Sequence, residues 1–259
     1  MSSITLDSDA AAEKMSRPRS KIAWAGLSLA LLAAVTALSS GLGHRWGWWD
    51  FGGGFALLKW AFFGGLAACT VSAIGAIAAR PAARRRGLGI ALSGLVIGAA
   101  VAWLPWQAVQ QIKALPPIHD ITTDPADPPS FSAVLPLRGD HANSTDYAGP
   151  AIAVLQQQAY PDIQPIDAAV TPQGAFDIAL DIVKDLGWQL VASQADQGHI
   201  EATATTLWFG FKDDVVIRIA PRGQMTRIDV RSVSRVGGSD AGANAKRIRE
   251  FMRLFNERL

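Results

Sequence analysis

Acidic residues, histidines and a single cysteine are the side chains of this 259-residue chain that have the chemistry for catalysis or metal binding. Asp120, Asp124 and Asp127 lie close together and supply the oxygen ligands that Ca²⁺ prefers. Their spacing is not that of an EF-hand loop, and the glutamate that completes such a loop is missing. Because Asp-Pro pairs favour turns, these aspartates are better explained as turn residues. We therefore predict neither a metal site nor a cofactor.

A nucleophilic active site is not indicated either. Such a site needs a Ser or Cys beside a His base and an orienting carboxylate. Cys69 lies inside an apolar run, no Gly-x-Ser-x-Gly elbow occurs, and the histidines lack the spacing of zinc ligands. Glu201 with Asp213 or Asp214 is left open as a carboxylate pair. The sequence predicts no catalytic residue, and we expect the protein not to be an enzyme.

A glycine-rich turn near the C-terminus is a candidate site for an anion. Arg235, Gly237, Gly238 and Ser239 lie between a predicted strand and the start of a predicted helix. Free backbone amides at a helix N-terminus, with an arginine nearby, can hold a carboxylate or a phosphate. The alternative is that Ser239 caps the helix while the glycines form the turn. Asp240 favours this alternative, because its charge would repel an anion.

A second candidate surface is one face of the predicted sheet, where polar side chains alternate with apolar ones. It carries Glu201, Thr203, Thr205, Arg218, Arg227, Asp229 and Arg231. One interpretation is an ordinary solvent-exposed face with cross-strand charge pairs, each contributing roughly 0.2–1 kcal/mol. The other is that the preceding linker or a partner protein lies across this face and is recognised by the arginines.

The elements that must position these residues lie in the last third of the chain. Thr171 and Pro172 are typical of a helix start, and Gly187 of a helix end. Four strands follow, at residues 188–193, 199–206, 215–220 and 225–233. An amphipathic helix begins at about residue 240. The predicted fold of this part is α+β, a two-layer arrangement with an antiparallel four-stranded sheet and helices on one face.

Three apolar runs precede this part, at residues 22–42, 55–79 and 88–106. Each has roughly the 17–25 residues that a helix needs to cross a bilayer. We therefore divide the chain into a cytoplasmic tail (1–21), a membrane domain of three α-helical spans (22–106), an extended proline-rich linker (107–135) and an α+β domain (136–259). In the second span, Gly64, Gly65 and Ala68 form a strip of small residues on which another helix can pack.

The distribution of charge predicts the orientation of the spans. Lys14, Arg17, Arg19 and Lys21 precede the first span, and residues 80–86 between the second and third spans carry four arginines. The positive-inside rule places both segments in the cytoplasm and the C-terminal domain in the bacterial periplasm, at the inner membrane. Residues 1–106 carry a net charge of +6 and residues 107–259 a net charge of −4. The overall basic balance therefore reflects membrane topology, and no nucleic-acid partner is expected.

Several stretches of the C-terminal part resemble a known family. They are residues 120–125, 160–163, 200–204, 213–218 and 227–237, with a continuation to 247–249. These stretches are similar to the signatures of domain-of-unknown-function family 1499, and the resemblance covers about residues 115–258. It implies a domain in an envelope context, without catalytic residues to transfer.

These observations predict a membrane-anchored periplasmic interaction module. We expect an accessory or assembly subunit of an inner-membrane complex, whose partners are the lipid bilayer and other membrane or periplasmic proteins. The alternative is a periplasmic protein that binds a lipid or a small anion, which requires an apolar cavity between sheet and helices. An uncharacterised enzyme is the least favoured reading.

Overall fold

The computed structural model describes residues 19–79 and 86–259. The chain divides into two compact units, residues 1–110 and 111–259, which are described separately below. The predicted tail and the arginines at positions 80, 84 and 85 lie outside the described residues, apart from Arg19, Ser20 and Lys21.

The first unit contains three helices that are long and apolar enough to cross a membrane, which confirms the predicted membrane anchor. They are α1 (Lys21–Arg45), α2 (Phe51–Ala78) and α3 (Leu88–Ala114). Ser20 and Asp50 cap the first two helices, since their side-chain oxygens accept hydrogen bonds from the amides of Ala23 and Gly53. Large apolar side chains such as Leu32 point away from the bundle, as expected for a surface in contact with lipid.

Small residues hold the three helices together. A Cβ atom added at Gly65 would lie 2.8 Å from the carbonyl oxygen of Gly98 in α3, and one at Gly64 would lie 3.2 Å from Ala33 in α1. Ala68 is fully buried and faces Gly98. The predicted packing strip of α2 therefore contacts the other two helices of the same chain, where close backbone approach is possible only without side chains.

The second unit is built on one antiparallel sheet. Its helices and strands are β1 (Asp120–Thr122), α4 (Pro150–Ala159), β2 (Ile166–Ala168), α5 (Pro172–Asp185), β3 (Gln189–Gln194), β4 (His199–Thr205), β5 (Lys212–Arg222), β6 (Met225–Ser234) and α6 (Ala243–Glu257). The strand order is β1-β6-β5-β4-β3, and β2 also pairs with β6. The predicted number of four strands is therefore wrong, because the sheet has six. The missed strands, β1 and β2, have only three residues each and pair with the same edge of β6.

The main core lies between the sheet and the helices. Thr171 caps α5 by accepting a hydrogen bond from the amide of Gly174, as predicted from the sequence. From α5 and α6, Phe176, Ile182, Phe251 and Phe255 pack against the apolar face of the strands. Burial of these large side chains supplies most of the stability of such a small domain.

The opposite face of the sheet is covered as well. The predicted extended linker, 107–135, divides into the end of α3, β1 and a stretch that crosses this face. We call residues 123–148 the covering segment. Phe131 and Val134 of this segment pack on Val216 and Val233 of the sheet, forming a second, smaller core. The linker is thus an integral part of the domain.

Candidate functional site

The polar face of the sheet lies buried beneath the covering segment. Glu201, Asp229 and Arg231 are 0, 1 and 3 % exposed. The interpretation as an ordinary solvent-exposed face is therefore wrong, while the alternative, in which the linker lies across the face and meets the arginines, describes the arrangement. A charge leaves water only when it gains close partners, so each of these residues must be accounted for by its contacts.

Glu201 holds the middle of the covering segment. Its carboxylate accepts hydrogen bonds from the amides of Ser132, Ala133 and Val134, at 2.8, 3.0 and 2.8 Å, and from the Ser132 hydroxyl at 2.7 Å. The His199 ring completes the set, with Nε2 2.7 Å from the carboxylate. Burial by itself would raise the pKa of Glu201, but these hydrogen bonds outweigh it and lower the pKa to about 2. Glu201 is therefore ionised and fully engaged at neutral pH.

Arg231 fixes both ends of the covering segment to β1 and β6. Its guanidinium donates two hydrogen bonds to the Asp120 carboxylate, at 2.9 and 2.7 Å. It also donates to the carbonyl oxygens of Pro129 and Thr145, at 2.9 and 2.6 Å. The rings of Phe131 and Tyr147 lie 5.1 and 5.6 Å from the guanidinium carbon, within cation–π range.

Arg218 and Arg227 share two carboxylates. Both donate to Asp229, at 2.9 and 3.0 Å, and both reach Asp124, at 3.3 and 2.7 Å. Arg218 also pairs with Asp127 at 2.8 Å. Asp120, Asp124 and Asp127, considered above as calcium ligands and explained as turn residues, are therefore the partners of the arginines of this face.

Asp214 is the centre of a further cluster at the end of the face nearest Ser234. It pairs with Arg138 of the covering segment and with Arg235, whose contact measures 2.8 Å. Thr203 donates a third hydrogen bond at 2.8 Å. Glu201 and Asp214 thus have separate sets of hydrogen-bond donors, which accounts for the burial of both carboxylates.

The helix start that follows the glycine turn is bound by a carboxylate of the chain itself. Asp240 accepts hydrogen bonds from the amides of Gly242 and Asn244, at 2.9 and 2.7 Å, so Asp240 and not Ser239 caps α6. Ser239 accepts a hydrogen bond from the amide of Ala241, at 3.3 Å. The carbonyl of Gly237 is bound by Asn143, at 2.9 Å, and Gly238 is exposed. The predicted role of this turn in anion binding stays a prediction, and the amides on which it depended are already paired at the helix start.

An open groove of about 990 Å³ lies at the end of the sheet formed by the β5–β6 turn and β2. Its walls come from the covering segment, α4 and the residues that follow α4. The lining includes four prolines and several side-chain amides, among them Pro125, Pro128, Pro150, Pro165, Gln157 and Gln164. Two ion pairs bound it, Arg222 with Asp167 and Arg227 with Asp124. The groove is concave, electrically balanced and open to solvent.

Two tyrosines also line this groove. In the part of the chain that the structure describes, the buried hydroxyls of Tyr147 and Tyr160 have no hydrogen-bond partner. Burial raises the pKa of Tyr147 to about 12 and also raises that of Tyr160, so both hydroxyls are protonated at neutral pH. Unpaired buried hydroxyls are rare in folded proteins, which sets this groove apart from an ordinary surface depression.

The sequence model of one protein family matches residues 120–255, more than half of the chain. The family is described as a protein of unknown function, DUF1499. The chain belongs to the DUF1499 family. The resemblance noted in the sequence is thereby confirmed, and the matched range starts at β1 and includes the whole covering segment. A comparison with curated proteins gives no match.

Sequence reasoning missed several polar residues that organise the DUF1499 domain. Gln156 is 1 % exposed and bridges to β1, because its amide group donates to the Thr122 carbonyl and accepts from the Thr122 amide. Asn244 is fully buried and joins α6 to Ser232 and Ser234. The sequence signal for Asn244 was its place among the apolar positions of the helix, because a polar residue there needs buried partners.

Proposed function

We propose that this membrane-anchored DUF1499 protein is an interaction module of the bacterial envelope, acting as an accessory or assembly subunit of an inner-membrane complex. Three helices long and apolar enough to span a membrane precede the family domain. The partner would be another membrane or periplasmic protein, which contributes an extended segment of polypeptide to the groove described above.

In the proposed topology, the N-terminus is cytoplasmic and the DUF1499 domain is periplasmic. The support is the clustering of positive charge before α1 and before α3. Arg19 and Arg86 form a backbone bridge, with the amide of Ser20 donating to the Arg86 carbonyl at 2.8 Å, so these two arginines lie at the same end of the bundle. Alkaline phosphatase fused after Leu259 should be active, and a fluorescent protein that matures there in the cytoplasm would contradict the proposal.

The groove is the observation that carries the proposed role. An extended polypeptide offers carbonyl and amide groups at regular spacing, which side-chain amides such as those of Gln157 and Gln164 can pair. Prolines and tyrosine rings supply rigid apolar contacts at a low entropic cost. The paired charges of Arg222 and Asp167 suit a polar partner of mixed charge.

A binding role without catalysis fits the way the ionisable residues are used. Glu201 and Asp214 are fully buried and each has several hydrogen-bond donors. Arg231 is occupied by one carboxylate and two carbonyl groups. We therefore assign these residues to holding the covering segment in place, which in turn forms one wall of the groove.

Neighbouring positions of α4 provide a matched test. Gln157 lines the groove, whereas Gln158 is exposed and does not. Each is replaced by Trp in the full-length protein, and a photo-crosslinking amino acid is introduced at the same two positions in separate variants. The Gln157→Trp variant should lose its partner without a change in melting temperature, and crosslinks should form at position 157 and not at 158. Equal recovery and equal crosslinking at both positions would refute the groove as the binding site.

The alternative, a protein that binds a lipid or a small anion, is supported by the volume of the groove, which lies within the range of small-molecule sites. The groove is open to solvent and bounded by ion pairs, whereas this alternative required an apolar cavity between sheet and helices. Native mass spectrometry of the full chain distinguishes the two functions. A small-molecule adduct that disappears in Gln157→Trp would support the alternative, and a protein crosslink at position 157 would support the interaction module.

A further inference from the structure

The β4–β5 connection, residues 206–211, is an apolar hairpin tip with a defined shape. The amide of Thr206 donates to the Phe211 carbonyl at 2.8 Å, and the Thr206 hydroxyl accepts from the Phe211 amide at 2.9 Å. The rings of Phe209 and Phe211 stack with their centroids 5.2 Å apart, and Trp208 meets Phe209 edge-on at 5.1 Å. Gly210 takes a positive φ of 70°, which closes the turn. These contacts give the tip a defined shape.

This tip presents apolar side chains outward. Leu207 is 87 % exposed and Trp208 is 38 % exposed, while Phe209 beneath them is buried. Exposed large apolar residues side by side at a loop tip mark a contact surface. The strand ends below the tip carry Thr205 and Lys212, both exposed. A leucine and a tryptophan next to a lysine are typical of protein segments that lie at a membrane–water interface.

The register of the sheet puts this tip at the end where the chain arrives from the membrane domain. Asp120, the first residue of β1, pairs with Val233, which pairs with Asp214, which pairs with Thr203. Leu207 lies four residues beyond Thr203, or roughly 13 Å further in the same direction. The groove lies at the opposite end of the sheet, beside the β5–β6 turn.

The connection to the membrane is short. Helix α3 ends at Ala114 and β1 begins at Asp120, so the five intervening residues span at most roughly 17 Å. This short connection limits how far the end of the sheet that carries the tip can lie from the end of α3.

We propose that the hairpin tip 206–211 inserts Leu207 and Trp208 into the interfacial region of the lipid bilayer that anchors the chain. Lys212 then lies at the level of the lipid phosphates. Lipid is the occupant that the observations favour, because the covalent tether keeps the tip within reach of the membrane at all times. The domain thereby gains a second point of attachment to the bilayer.

The test uses the full chain in liposomes. Cys69, the one cysteine, is replaced by Ser, and an NBD fluorophore is attached at Leu207→Cys or, as a control at the opposite end of the sheet, at Gln224→Cys. Lipid carrying a doxyl group near the headgroup is then added to the membrane. The label at position 207 should shift to shorter wavelength and lose emission as the doxyl fraction rises, whereas the label at 224 should do neither.

A second pair of variants tests whether the quenching depends on insertion of the tip and not on an affinity of the label itself for lipid. NBD at Thr205→Cys, below an intact tip, should also be quenched by the doxyl lipid, and the additional change Leu207→Asp should abolish this quenching. An emission at position 207 that is insensitive to doxyl lipid would overturn the proposal. Quenching by iodide would then place the tip in water, and resistance to both quenchers would place it against protein.

Discussion

Replacing Glu201 by Gln should loosen the covering segment and destabilise the DUF1499 domain by about 3 kcal/mol at neutral pH. Gln retains the shape of the side chain and resembles the protonated acid. Its NH₂ group would face the Val134 amide, 2.8 Å away in the native contact, so one buried donor loses its acceptor at a cost of about 1–3 kcal/mol. The remaining bonds from Ser132 lose their charge assistance. The lowered pKa gives the same magnitude, since a change from 4.5 to about 2 corresponds to about 3 kcal/mol.

The pH dependence gives the sharpest form of this prediction. A carboxylate whose pKa is lowered on folding stabilises the native state above its unfolded pKa, and this contribution is lost as pH falls through the folded pKa. The difference in free energy of unfolding between the wild-type domain and Glu201→Gln should therefore disappear as the pH falls from about 4.5 to 2. Urea denaturation of residues 115–259, followed by the fluorescence of Trp188 and Trp208, measures both proteins at each pH.

The matched control is Glu250→Gln. Glu250 pairs with Arg253 on the exposed surface of α6, so its replacement should leave the unfolding curve unchanged. A difference between wild type and Glu201→Gln that stays constant from pH 7 to pH 2 would refute the reasoning, because it would assign the loss to shape and not to charge. A difference below about 1 kcal/mol at neutral pH would contradict the assigned hydrogen bonds.

Three further predictions follow from other contacts. Arg231→Lys should destabilise residues 115–259 by about 2–4 kcal/mol in the same urea assay, because an ammonium group cannot reproduce the two parallel bonds to Asp120 and the contacts to two carbonyls. Gly94→Leu should lower the melting temperature of the full chain in detergent, since an added Cβ would lie 2.9 Å from the backbone nitrogen of Leu27, whereas Gly89→Leu, with open space around it, should not. Residues 115–259 should melt in a single cooperative transition that EDTA leaves unchanged, and an EDTA-induced loss of structure would reveal a structural ion.

Much of the fold was accessible from the sequence because its signals are local. The helix start at Thr171 and Pro172, and the alternation of apolar residues in β4 and β6, depend only on neighbouring positions. The strands β1 and β2 were missed because three residues are too few for a periodic pattern. Their identity as strands depends on pairing with β6, a contact between distant parts of the chain.

The candidate site was recognised only in part for a similar reason. The alternation in β4 correctly placed Glu201 on the polar face, but periodicity cannot tell whether such a face meets water or another segment. That distinction depends on Asp120 and Asp124, whose partners lie about a hundred positions later in the chain. The proline content that marked residues 107–135 as a linker is also compatible with a segment held by side chains, since a proline has no backbone N–H that needs an acceptor.

The covering segment also has a consequence for the order of folding. Asp120 and Arg231 are 111 positions apart, and Ser132 and Glu201 are 69 positions apart. Contacts of such long sequence separation slow folding, because the intervening chain must be ordered before they form. During synthesis from the N-terminus, the covering segment is complete long before the sheet face that holds it. Arg231 lies in β6, so a chain that stops before this strand is complete leaves the segment without the Arg231 contacts to Pro129 and Thr145.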